Sequence, residues 1–251
     1  MENCLFRDGG TLIELKKQDR LLIECLGVEG GSSRIDELKC LTFSDWETVI
    51  QLSLRHQIAP IVYQCLKKCG LAAYVPADVF QLLREIYLHN AVRNTRRLHE
   101  LSKVLKVLKE EDITVIVLKG AHLAEVVYKK IGMRSMSDVD LLFRKEDLSR
   151  AQKKLMAKGY IPYCRRLPLD IHWNIDLSIA HLNIDIDKVW ERARPAFIGE
   201  VEVLVLCPED LLLHLCTHLS FHHASFQFAG LRTFCDIRES IWHYNGQIEW
   251  E

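Results

Sequence analysis

The stretch that most limits the fold of this chain runs from Ile113 to Phe143. Ile113 to Leu118 is a nearly unbroken β-branched run, the pattern of a strand buried on both faces. Gly120 breaks it, and Ala121 to Lys130 reads as a helix. The segment Arg134-Ser135-Met136-Ser137-Asp138-Val139-Asp140-Leu141-Leu142-Phe143 then reads as a second strand with two carboxylates one residue apart. Alternate side chains of a strand share a face, so Asp138 and Asp140 are expected to point the same way, with Cα atoms about 6.5–7 Å apart. Two such anions repel, and one tends to keep its proton. A hard divalent cation with oxygen ligands removes that conflict. The expected architecture is α/β (α+β): a small mixed sheet with helices on one side, set between N-terminal and C-terminal helical regions.

The flanking segments carry helical periodicity. Leu12 to Leu26 is expected to be amphipathic, and Gly30-Gly31-Ser32-Ser33 a loop. Ser44 is the expected N-cap of a helix to about His56. Ile58 to Lys68 continues as a second helix, with Pro60 in its first turn and Gly70 at its end. From Pro76 to about Glu110, apolar residues at Val79, Leu82, Leu83, Ile86, Leu98, Leu101, Leu105 and Leu108 repeat at helical spacing, as one long helix or as two with a break near Asn90 to Asn94. The expected organisation is a helical region over 1–110, a core over 111–206 and a C-terminal helical region over 207–251.

Beyond the paired carboxylates, Asp147 reads as a cap for a helix reaching Lys158. Leu169-Asp170-Ile171-His172-Trp173 alternates as a strand does, so His172 shares the face of Asp170 and Trp173 is expected in the core. Asp185, Asp187 and Glu191 read as caps and surface charge. Val201 to Leu206 reads as a late strand, and Pro208-Glu209-Asp210 opens a helix. On that helix His214, His218 and His222 recur every fourth residue and share a face. The spacing suits zinc, but the glutamate of a HExxH pair is missing, and packing against the sheet is the preferred reading.

With 33 basic and 34 acidic residues the net charge is −1, which gives no global field to attract a long nucleic acid or a membrane surface. Lys153, Lys154, Lys158, Arg165 and Arg166 form either a local basic patch or a solvated face, and the second is preferred. The nine cysteines contain no CxxC pair and read as reduced, mostly core residues. Met1 to Gly10 lacks the apolar core of a signal peptide, and no apolar run reaches the length of a membrane span. A cytoplasmic protein is expected.

The run Leu118-Lys119-Gly120, followed by Gly132-x-Arg134-x-x-x-Asp138-x-Asp140-Leu141-Leu142, resembles the nucleotidyltransferase superfamily that includes DNA polymerase beta. Within it, the likeness is to a branch of largely uncharacterised bacterial-type nucleotidyltransferases, and it extends from about Trp46 to the C-terminus. The resemblance implies transfer of an NMP from an NTP, by default ATP, to a hydroxyl of a small molecule, peptide or protein, with pyrophosphate released. It implies two Mg²⁺ ions, or Mn²⁺, on Asp138, Asp140 and a third carboxylate from a neighbouring strand. Asp170 is the choice for that carboxylate, as general base or metal ligand, and Asp176 is the reserve.

The same resemblance assigns the Gly turn to the triphosphate, so Lys119, Gly120, Ala121, Arg134, Ser137 and His172 are the expected nucleotide contacts. Many members have Gly-Ser where this chain has Gly120-Ala121. Lys119 either neutralises phosphate or pairs with an acid. Arg134 either grips a phosphate or bridges to a carboxylate. His172 touches the nucleotide, orients a carboxylate or is structural. His218 and Asp236 match positions of the family's helical tail and are expected to shape the rear of the site. Members often continue past the position of Glu251, so a short or truncated version is expected. The rival reading is a catalytically silent binding or interaction protein that kept the fold.

Overall fold

The structure, a computed structural model, describes residues 5–8, 11–14, 16–26, 36, 38–160, 167–175, 184–226 and 230–250. Asp176, Arg165, Arg166 and the side chain of His222 lie outside the described residues. The chain divides into two compact units, residues 1–88 and 89–251.

The first unit is mostly helical. Strands β1 (Leu5–Asp8) and β2 (Thr11–Glu14) pair antiparallel, and α1 spans Lys17–Leu26. The helix expected from Leu12 therefore starts later, because the alternating Thr11-Leu12-Ile13-Glu14 pairs as a strand. Helix α2 (Phe43–Arg55) is capped by Thr42, not by Ser44. The Thr42 hydroxyl accepts from the Asp45 N–H, and Asp45 accepts from the Thr42 N–H at 2.8 Å, a reciprocal capping box. Helix α3 (Ala59–Lys68) carries Pro60 in its first turn and ends before Gly70, whose φ of +69° favours a residue without Cβ. Trp46, Val49, Ile58 and Leu66 are buried at its core.

Helix α4 (Ala77–Glu110) is one uninterrupted helix that contributes to both units. Asn90 and Asn94 do not break it. Their side chains donate to the carbonyls of Gly132, Ile131 and Arg134 at 2.6–2.8 Å, which fastens the loop ahead of the paired acids.

The second unit holds a five-stranded mixed sheet of β3 (Val115–Val117), β4 (Val139–Phe143), β5 (Leu169–His172), β6 (Arg194–Ile198) and β7 (Val201–Val205), in the order β5-β4-β3-β7-β6. Strand β3 runs antiparallel to β4 and parallel to β7, and β4 runs parallel to β5. Edge strand β6 has no counterpart in the sequence reading. It contains Pro195, which an edge tolerates and a central strand does not. Its hairpin to β7 turns at Gly199, where φ is +58° and an added Cβ would meet Ser102 Oγ at 2.9 Å.

One face of the sheet builds the core. Val115 and Val117, Val139, Leu141 and Phe143, Leu169, and Val201, Val203 and Val205 pack with Leu98, Leu101, Leu105 and Leu108 of α4 and with Ala151 and Leu155 of α6 (Leu148–Ala157). Burying each aliphatic side chain contributes about 1.5–3 kcal/mol. Asp147 stands at the α6 N-cap position but makes no cap hydrogen bond; its carboxylate pairs with Arg150 at 2.7 Å. Lys154 pairs with Glu111 at 2.7 Å. The period of two leaves the other face of β4 and β5 to Asp140, Leu142, Asp170 and His172. Helices α7 (Ile186–Arg192), α8 (Pro208–Phe226) and α9 (Leu231–His243) complete the unit, and α8 and α9 pack together. Asp185 caps α7 as expected, accepting from the Lys188 N–H. Among the described residues no helix is long and apolar enough to cross a membrane.

Candidate active site

The register of two parallel strands builds the site. Asp140 on β4 is the direct partner of Asp170 on β5, and Leu142 is the partner of His172. Parallel neighbours lie about 4.7–4.9 Å apart, so Asp140 and Asp170 stand side by side and His172 is diagonal to Asp140. The ligand atoms of Asp140, Asp170 and His172 all lie within 4.8 Å of one another. His172 Nε2 is 3.2 Å from Asp140 Oδ1 and 3.5 Å from Asp170 Oδ2. Asp140 is buried, whereas Asp170 opens to solvent and His172 is half-buried.

Burial raises the Asp140 carboxyl, but the His172 hydrogen bond, the charge of Lys119 and then those of His172 and His214 more than offset it and hold it at about 2. Lys119 Nζ is 3.5 Å from Asp140 Oδ1, so the lysine pairs with the acid. The Asp140 hydrogen bond raises His172 above the ordinary histidine value, with burial opposing and the charges of Asp170 and Asp140 adding. Asp140 therefore carries its negative charge in a buried place. Its second oxygen, Oδ2, is buried and has no hydrogen-bond partner among the described residues. An orphaned carboxylate oxygen is costly unless a ligand meets it.

Asp138 stands apart from this group. Strand β4 begins at Val139, one residue after Asp138, and the group of ligand atoms within 4.8 Å of one another does not include Asp138. Its Oδ1 accepts from Ser137 Oγ at 3.0 Å, and its charge reaches Arg97 and Arg232. The structure thus brings together Asp140, Asp170, His172 and Lys119, and leaves Asp138 and Ser137 on the approach to the strand.

The Gly turn is held by close backbone packing. Helix α5 (Lys119–His122) starts directly after β3 and continues as a π-helical turn over Leu123–Val127. A Cβ on Gly120 would lie 3.3 Å from the Asp138 carbonyl oxygen, a tight approach to backbone. The Ala121 side chain is fully buried in the core. The Leu118 N–H donates to the Asp140 carbonyl at 3.0 Å, which ties the turn to the acid-bearing strand.

Arg134 forms the bridge rather than a free phosphate grip. Its Nε and Nη2 donate to the two oxygens of Asp236 on α9 at 3.0 and 2.9 Å, and the Tyr128 hydroxyl donates to the same carboxylate at 3.0 Å. Both charged side chains are buried. The remaining Nη1 faces the Gly120 carbonyl at 3.5 Å, so Asp236 braces the Gly turn through Arg134. A second brace joins His122 Nε2 and the Tyr244 hydroxyl at 2.9 Å; burial, then the charge of His243, brings His122 down to about 3, so it is neutral.

His214 on α8, whose spacing alone points to packing, is a further group near the site. Burial, followed by repulsion from Lys119, lowers its imidazole to about 4, while Asp140 opposes and His172 adds to the lowering. Its buried Nε2 has no hydrogen-bond partner among the described residues. The fourfold histidine spacing on α8 was the one signal for it. The cluster of potential metal ligands among the described residues comprises Asp140, Asp170 and His172 and includes no second histidine. Trp173 is exposed, not in the core: β5 ends at His172, so the alternation that would have buried it stops one residue short.

No curated protein and no solved structure matches the chain. A family model described as uncharacterised nucleotidyltransferase matches residues 43–251, a span that includes the whole sheet, the Gly turn, both acid-bearing strands and the Arg134–Asp236 brace. The chain belongs to this family of uncharacterised nucleotidyltransferases.

Proposed function

We propose that the protein transfers an NMP from an NTP, with ATP as the default donor, to a hydroxyl of a small molecule, peptide or protein, and releases pyrophosphate. The observation that carries the reading is the buried, ionised Asp140, whose Oδ2 has no hydrogen-bond partner among the described residues, set against Asp170 and His172 beside the Lys119-Gly120 turn. That donor set fits a divalent cation: two carboxylates supply hard oxygens, and the orphaned oxygen lacks a partner that a cation would be. Asp140, Asp170 and His172 would hold it, and Asp138, two residues before Asp140, would be a further acid. A divalent ion there would neutralise triphosphate charge and make the α-phosphorus more electrophilic.

The chain's own residues account for the rest. Lys119, 3.5 Å from Asp140, adds a positive charge at the turn and can exchange its carboxylate partner for a phosphate oxygen. Gly120 lets backbone approach where a side chain would crowd the Asp138 carbonyl at 3.3 Å. Arg134 acts through the backbone, holding the Gly120 carbonyl while Asp236 and Tyr128 hold Arg134. In this reading the exposed Asp170, paired with Asp140 across the two strands, accepts the proton of an incoming hydroxyl. The net charge of −1 favours a small or protein acceptor over a long nucleic acid.

The test is pyrophosphate release and incorporation of label from each α-labelled NTP, with wild type, Asp140→Asn and Asp170→Asn compared. Loss in the variants is expected. Undiminished transfer by Asp140→Asn would overturn the mechanism, and a folded wild type inert toward every NTP would favour the silent-scaffold reading.

A further inference from the structure

We infer that His172 is a direct metal ligand, and that it makes this site one for a first-row transition ion rather than for magnesium. The inference rests on the proposed reading that the group binds a divalent ion, and goes on to say which class of ion. The argument is the donor set. An all-carboxylate pair would be a site of hard oxygens, which suits Mg²⁺. Here two carboxylates, Asp140 and Asp170, supply oxygen, and the third ligand atom within 4.8 Å is a nitrogen.

His172 Nε2 faces both carboxylates, at 3.2 Å from Asp140 and 3.5 Å from Asp170. It therefore occupies the place where an ion bound by those oxygens would be met. Imidazole nitrogen favours the later first-row ions, whereas Mg²⁺ gives up water reluctantly and takes oxygen. The buried Asp140 Oδ2 is a second, independent sign, since it is a charged oxygen without a partner among the described residues. The alternative is that His172 only orients Asp140 from outside the coordination sphere. The two roles differ in one respect: an orienting histidine supports all divalent ions alike, and a ligating one changes the ranking between them.

The probes are Mn²⁺ and Mg²⁺ on the full chain without nucleotide. Calorimetry gives the ratio of their affinities, and pulsed electron paramagnetic resonance of bound Mn²⁺ reports a directly bonded nitrogen. Wild type is expected to bind Mn²⁺ more tightly than Mg²⁺ and to show nitrogen coupling. His172→Gln replaces the nitrogen with an amide that can offer oxygen. It should lose the coupling and weaken Mn²⁺ by at least the roughly 10–100-fold that loss of an outer contact costs, with Mg²⁺ affected less. Absence of nitrogen coupling in the wild type overturns the inference without any variant. So does an affinity ratio unchanged by His172→Gln. Coupling that survives His172→Gln and disappears in His214→Gln would also overturn it, because the nitrogen would then come from α8. A protein that binds neither ion overturns both this inference and the reading beneath it, whereas ion binding through oxygen alone leaves that reading standing.

Discussion

Replacing Asp236 with asparagine should unfold the second unit far more easily than loss of a surface ion pair would. The Asp236 carboxylate receives three hydrogen bonds, two from Arg134 and one from Tyr128, at 2.9–3.0 Å. Both members of the ion pair are buried, so water cannot take the place of the lost charge. Asparagine keeps the shape, but one of its polar atoms becomes an N–H donor facing other donors. Removing one partner of such a pair costs about 3–5 kcal/mol, against roughly 0–1 kcal/mol for an exposed pair. For a unit of this size that corresponds to a melting midpoint lower by roughly 6–20 °C, at about 2–4 °C per kcal/mol. Denaturant unfolding of wild type, Asp236→Asn and the apolar double variant Arg134→Met/Asp236→Leu makes the measurement. The double variant should recover much of the loss, because it buries no unpaired charge. An Asp236→Asn protein within about 1 kcal/mol of wild type would refute the claim that this carboxylate braces the Gly turn.

Gly120→Ala should destabilise by about 1–3 kcal/mol, since the added Cβ sits 3.3 Å from backbone, and should weaken nucleotide binding, read by calorimetry. Gly199→Ala combines a positive φ with a 2.9 Å approach to Ser102 and should lower stability by roughly 1–2 kcal/mol in denaturant titrations. Asp140 is depressed to about 2 from an unfolded value near 3.9, so in metal-free protein its contribution is complete above about pH 4 and lost as pH falls toward 2. His172 is raised, so its contribution has the opposite sign: complete below about pH 6.5 and lost as pH rises through the folded value. Stability against pH for wild type and His172→Ala should show both, and carbon-detected titration of the variant should place the Asp140 carboxyl above its wild-type value. An unmoved Asp140 would contradict the hydrogen bond assigned to His172.

The parts of this fold that a local pattern can carry were legible. The β-branched run before Gly120 is β3, the alternating Leu169 to His172 is β5, and the shared face of Asp170 and His172 follows from the period of two. Asp138 shows the limit of that reasoning. Alternation puts both acids on one face of an extended strand, but only Asp140 joins the group with Asp170 and His172, and the sequence does not mark Val139 as the first strand residue. The partner of Arg134 lies 102 residues further on, beyond any periodic signal. Strand β6 was hidden because its Arg194-Pro195 start reads as a breaker, and only its edge position makes that proline acceptable. His214 was visible as one of three histidines on a helix face, but nothing local says that its imidazole lies within the electrostatic reach of Asp140 and Lys119.

The central claim is that Asp140 anchors a metal-dependent nucleotide site. The most direct test is calorimetric titration of ATP, CTP, GTP and UTP into wild type and Asp140→Asn, with Mg²⁺ or Mn²⁺ and without either ion. The account predicts binding of at least one nucleotide that requires the ion and disappears in the variant. Binding that ignores the ion, or that survives Asp140→Asn in a folded protein, would contradict it.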